Sequence, residues 1–215
     1  MKKPNISSFC STFVLLLSAL LSTNAAHAVD TEWEVMHRMQ SDTAVRIAYR
    51  ETRTLELIDQ PWQGGGYLYS LAPDLMIKEQ LQPERVLMGI KGDRMFYFDP
   101  AANVRHRGEL DAANPLSLHI AFFNALVNAD VALLHRVYRV DFDAREQDWL
   151  MTLKPRRGDR PGLTVVISGP SGQQAERIEI RQADGDLGEF SLRKDAEGEA
   201  VETEVNRLYL ELLGN

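Results

Sequence analysis

The chain has 215 residues, with 24 Lys and Arg against 31 Asp and Glu, a net charge of −7 and a single cysteine, Cys10. So acidic a chain is a poor non-specific ligand for nucleic acid or for an anionic membrane, and no nucleic-acid partner is expected. One cysteine also excludes an internal disulfide and a cysteine-built metal centre.

The N-terminus reads as a secretory signal. Lys2 and Lys3 form a basic start, Phe13 to Leu21 an apolar run, and Ala26-His27-Ala28 a small-residue cleavage site. The apolar run is short for a membrane span. Cys10 precedes it, so it is not the lipid-modified cysteine that follows a lipoprotein signal. The expectation is a signal peptide over 1–28 and a soluble, unlipidated exported domain over 29–215. Removing 28 of 215 residues leaves 187, enough for one sizeable core. The two signal lysines go with it, leaving 22 basic against 31 acidic residues, a net −9.

Thr31 and Glu34 have the spacing of a capping box, so the domain opens with a helix carrying Trp33, Met36, His37 and Met39 to Gln40. Ser41-Asp42-Thr43 ends it. A long strand follows, carrying Ile47 to Leu57. Residues 51–107 then alternate strand-length apolar runs with turn signals: Asp59-Gln60-Pro61, Gly64-Gly65-Gly66, Ala72-Pro73-Asp74, Gln82-Pro83 and Lys91-Gly92-Asp93. The spacing predicts an antiparallel meander. Asp111 to Arg136 is the second helical region, with Asn114 as cap, Pro115 at the first helical position, and Leu118, Phe122, Phe123 and Leu126 along one face. Val131 to Arg136 forms a short helix after the break at Asn128-Ala129-Asp130. Strands return at Tyr138–Phe142, Trp149–Leu153, Leu163–Ser168, Ala175–Ile180 and Leu187–Leu192. Val201 to Leu213 is open between strand and helix. No repeat or linker divides the chain.

Helices inserted into a long antiparallel sheet must bury their apolar face on it, so periodicity alone implies a helix-covered α+β fold. The residues go further by resemblance. Gly66 to Met76 reads G-x-L-x-x-x-x-P-x-x-x and Lys91 to Pro100 reads K-G-D-x-x-x-Y-x-x-P. In this order and spacing they resemble the outer-membrane lipoprotein carriers of the LolA type. That resemblance implies a curved antiparallel sheet, an unclosed half-barrel, with a helical lid covering an apolar concave face. It further implies an acylated lipid or lipoprotein cargo, an inner-membrane donor, an outer-membrane acceptor and a monomeric carrier.

Strand parity selects the lining residues. Family members carry an inward Arg before the meander proline, where this chain has Ala72; counting back in twos turns Ser70, Leu68 and Gly66 inward and Tyr67 and Tyr69 outward. Met76 matches a position at the cavity mouth, and Met88 shares its inward face with Val86 and Ile90. Met95 and Tyr97 are favoured over Phe96 and Phe98. Met36 and Met39, with Leu118, Phe122, Phe123 and Leu126, make the lid. Methionine adapts to varied apolar ligands, although ordinary core filling is the stronger reading from composition alone; the resemblance reverses it for Met39, Met76 and Met88. In the carriers the Arg hydrogen-bonds to the lid, so with Ala72 lid closure here is expected to rest on apolar packing alone.

The chemistry-bearing residues show no catalytic arrangement. His37, His106, His119 and His135 are not at metal-hydrolase spacing, Ser168-Gly-Pro-Ser-Gly172 reads as a turn, and Gly64-Gly65-Gly66 lacks the Lys-Ser/Thr of a phosphate loop. Asp141/Asp143 and Asp184/Asp186 read as solvated pairs and Lys154 to Arg160 as a basic loop. The expectation is a non-enzyme without metal or cofactor. A sensor or interaction module of the envelope-stress type, using the same fold without lipid transport, is the alternative; a small envelope-assembly subunit with a filled core is a third.

Overall fold

The structure is a computed structural model that describes residues 30–56, 60–109, 125, 129–156 and 163–214. The signal segment, the cap at Asn114, and Leu118, Phe122, Phe123 and Leu126 lie outside the described residues, as does most of the basic loop.

Helix α1 spans Glu32–Met39 and starts where the capping box puts it. Glu34 N donates to the Thr31 hydroxyl at 3.3 Å and Thr31 N donates to the Glu34 carboxylate at 2.9 Å. Six strands follow as hairpins: β1 Val45–Thr54, β2 Trp62–Leu71, β3 Leu75–Gln82, β4 Val86–Lys91, β5 Arg94–Asp99 and β6 Val104–Glu109. Helix α2, Val131–Val137, is capped by Asp130, whose carboxylate accepts from Leu133 N at 2.7 Å. Five more strands return: β7 Tyr138–Ala144, β8 Asp148–Pro155, β9 Thr164–Pro170, β10 Arg177–Arg181 and β11 Leu187–Glu197.

The strands form one curved, unclosed antiparallel sheet in the order β6-β5-β4-β3-β2-β1-β11-β10-β9-β8-β7. The chain therefore leaves the sheet at one edge, β6, and re-enters at the other, β7. The long pairing of β1 with β11, from Val45↔Glu197 to Thr54↔Leu187, joins the two meanders. Within β2, the register shifts between Gly65 and Gly66; a Cβ on Gly66 would lie 2.0 Å from the Glu79 carbonyl oxygen. Only glycine permits this approach of β2 to β3.

The tail is a helix. α3 spans Glu199–Leu213, with Val201, Val205, Leu208 and Leu212 as a single buried stripe and Gly214 (φ 80°) closing it in the left-handed conformation. The β-branched and aromatic residues Val201, Thr203, Val205 and Tyr209 had left strand and helix open; the stripe repeats at helical spacing and has a sheet face to pack on.

Paired residues share a sheet face, so the register divides the core in two. Tyr69, Leu75, Ile77, Leu87, Phe96 and Phe98 face α3 and pack with its stripe. The opposite face carries Tyr49, Phe190, Ile178, Ile167, Met151 and Leu153, which pack with Val35 and Met36 of α1 and Leu134 of α2. The face that parity set as outward, Tyr67 and Tyr69, is thus a second core beneath α3.

Candidate functional site

Helix α1 is anchored on the sheet by its own ends. The Asp30 carboxylate accepts from Arg38 at 2.6 Å and from Gly172 N at 2.8 Å, and Gln174 donates to the Arg38 carbonyl at 2.6 Å. His135 of α2 meets the Glu32 carboxylate at 2.7 Å and ties the two helices together. Arg156 donates to the carbonyls of His135 and Tyr138 and holds the end of α2.

The same face continues across β2 to β6. One cross-strand row there reads Ile47–Leu68–Lys78–Met88–Tyr97–His106, and the next reads Val45–Ser70–Met76–Ile90–Met95–Gly108. Among the described residues, Met76, Met88, Ile90, Met95 and Tyr97 belong to neither packed core cluster. Met88 is 38% exposed, whereas the alternating Leu87, Phe96 and Phe98 are buried under α3. The residues brought together are therefore Leu68, Met76, Met88, Met95 and Tyr97. Ala72 stands apart, exposed in the turn after β2. Met36 is fully buried between α1 and the sheet, and Met39 is partly buried at the margin of the same cluster.

Sequence reasoning missed a polar group in the middle of this face. Lys78 Nζ donates to the Glu51 carboxylate at 2.6 Å, and Arg53 Nε donates to the other oxygen of that carboxylate at 2.5 Å. Glu51 is only 2% exposed. The Lys78 ammonium lies 4.9 Å from the Tyr49 ring centre and 5.4 Å from that of Phe190. Burial lowers the Lys78 pKa, with Glu51 opposing. Burial raises that of Tyr49, and the Glu51 charge adds to the rise. Among the described residues, the buried Tyr49 hydroxyl has no hydrogen-bond partner. The missing signal was available: if Met76 points to this face, so does Lys78 two residues on, and Tyr49, Glu51 and Arg53 alternate the same way.

The other singled-out groups lie elsewhere. Asp143 pairs with Arg145 at 2.9 Å on the surface, and Asp184 and Asp186 sit in an exposed turn. Among the described residues, no cluster of three or more His, Asp or Glu is placed to hold a metal ion, and no helix is long and apolar enough to cross a membrane.

A sequence-family model described as outer membrane lipoprotein carrier protein LolA-like matches residues 23–208. Among solved structures, the chain is similar to a LolA superfamily protein from Nitrosomonas europaea. The two share 10% identity with a TM-score of 0.45, covering 77% of this chain and 90% of that one. It is also similar to a DUF1329 family protein from Desulfovibrio piger, at 12% identity and a TM-score of 0.40, covering 76% and 92%. No curated protein matches the chain.

Proposed function

As the chain belongs to the LolA-like family of outer membrane lipoprotein carrier proteins, we propose that it carries acyl chains through the periplasm toward the outer membrane. It does so as a soluble monomer, after loss of residues 1–28, taking a lipoprotein or other acylated lipid from an inner-membrane donor and passing it to an outer-membrane acceptor. It is not an enzyme. The observation that carries this reading is the apolar strip Leu68, Met76, Met88, Ile90, Met95 and Tyr97, which shares a face with the α1–α2 core but lies outside both clusters packed among the described residues, Leu68 at its margin excepted.

The physics of such a strip is transfer. Each exposed CH2 of an acyl chain costs about 0.8 kcal/mol in water, so a free chain does not cross an aqueous space unaided. An apolar face removes that cost, and the flexible thioethers of Met76, Met88 and Met95 adapt to chains of different shape. Handover then needs only an acceptor of higher affinity.

The test is native mass spectrometry of the mature protein purified from its own periplasm, followed by lipid extraction and by uptake of a fluorescent fatty acid. A bound acylated species is expected. Ile90→Asp is expected to abolish it with an unchanged far-UV spectrum. Ile90 faces Met76 and Met95, so no cation stands opposite a new carboxylate, whereas one at position 88 would face Lys78. A clean apo mass with no uptake would overturn the carrier reading and leave the strip as an interaction surface.

A further inference from the structure

We propose that Lys78, with Glu51, Arg53 and Tyr49, is a head-group site that selects cargo bearing an acidic group, a carboxylate or a phosphate monoester, over neutral lipid. This deepens the carrier reading and rests on it.

An apolar row needs no lysine. Lys78 stands between Leu68 and Met88, with Met76 two residues before it on the same strand and the same face. A leucine or methionine there would extend the strip unbroken. An ion pair in such a place is weak evidence for stability, because desolvating two charges offsets most of their attraction. The charge count also departs from a closed pair. One buried carboxylate, Glu51, holds two cations, Lys78 on one oxygen and Arg53 on the other. Counted over the described residues, the cluster therefore carries a surplus positive charge within the apolar face. Lys78 has three N–H donors and spends one on Glu51; its ammonium otherwise lies over the rings of Tyr49 and Phe190.

The second observation is independent of the charges. Tyr49 is 3% exposed, on the same face, and its hydroxyl has no hydrogen-bond partner among the described residues. A buried donor without an acceptor is rare and costly in a native protein. An anionic oxygen at the ammonium would give Lys78 a second acceptor, neutralise the surplus charge and lie beside the phenol. An ester or amide carbonyl would accept a hydrogen bond but leave the charge uncompensated. The acyl chain would then run over Met88 and Ile90 to Met95 and Tyr97, two strand spacings or about 10 Å away.

The experiment is displacement of the neutral fluorescent reporter N-phenyl-1-naphthylamine from the mature protein by palmitic acid, hexadecyl phosphate and methyl palmitate, which share a sixteen-carbon chain or acyl group. At least one acid is expected to bind about tenfold tighter than the ester, the scale of one charge-assisted contact. Which acid wins identifies the group. Lys78→Met, which leaves Glu51 on Arg53, is expected to bring the acid-to-ester ratio to about one. Tyr49→Phe removes only the hydroxyl and is expected to reduce the ratio about threefold; it decides the matter should Lys78→Met fail to fold. Equal wild-type binding of acids and ester, or a ratio that survives both substitutions, overturns the head-group site while the carrier reading stands. Failure of the reporter and all three lipids to bind overturns both.

Discussion

Replacing Arg85 with Met cuts the bridge between the sheet and α3. Arg85 donates to both oxygens of Glu211 at 2.5 and 3.0 Å and to Glu79 at 3.0 Å. The two carboxylates fare differently without it. Glu211 is a quarter exposed and keeps a contact with Arg207 at 3.4 Å, so water and that neighbour replace most of what it loses. Glu79 is 6% exposed and, among the described residues, keeps only the Tyr69 hydroxyl, which donates to it at 3.2 Å. A charge-assisted hydrogen bond is worth about 1.5–3 kcal/mol when buried; with Arg85 itself a third exposed, solvent screening brings the expected loss to about 2 kcal/mol.

For a domain of this size that loss moves the urea midpoint down by about 1 M. The pH dependence adds a second readout. The Glu211 pKa is lowered below its ordinary 4.5, first by its hydrogen bonds with Arg85 and against the effect of burial. A carboxyl lowered on folding contributes stability that is complete above the unfolded value and is lost as pH falls through the folded one. The part of the gap between wild type and Arg85→Met that comes from Glu211 should therefore be full at about pH 7 and be lost in acid, as pH falls through the lowered Glu211 pKa. An unchanged midpoint at neutral pH, or a gap that does not narrow in acid, would refute the assignment of the bridge.

Three further perturbations follow from the packing. Leu208→Ala empties a fully buried position in the α3 stripe and should cost about 3 kcal/mol by calorimetry. Because it lies on the face opposite the strip, fatty-acid uptake by the folded fraction should persist. Gly66→Ala forces its Cβ to within 2.0 Å of the Glu79 carbonyl and should lose at least about 2 kcal/mol, read as a drop in Tm; an unaltered Tm would mean that the β2–β3 register shift relaxes freely. Thr31→Ala removes the α1 cap and should cost about 1 kcal/mol, seen as faster amide exchange in the first turn of α1, with unchanged exchange counting against the capping box.

What was legible in the sequence was local. The start of α1 follows from Thr31 and Glu34 because a capping box closes within three residues. The turns of the β2–β6 meander follow from Pro73, Pro83 and Gly92, and alternation along each strand separates Leu68, Met88, Met95 and Tyr97 from Tyr69, Leu87, Phe96 and Phe98. The spacing of the Gly66–Met76 and Lys91–Pro100 motifs carried the family.

What only the tertiary structure decided depends on partners far along the chain. Val201 to Leu213 had no conformation of its own to announce, since its valines, threonine and tyrosine suit a strand; the apolar face of β2–β5 made it a helix by burying Val201, Val205, Leu208 and Leu212. Lys78, an ordinary exposed-looking residue in the sequence, is held inward by Glu51 on a strand 27 residues earlier. That pairing exists only because the register sets β3 beside β2 and β2 beside β1, bringing a buried carboxylate within reach of an ammonium that desolvation would otherwise disfavour.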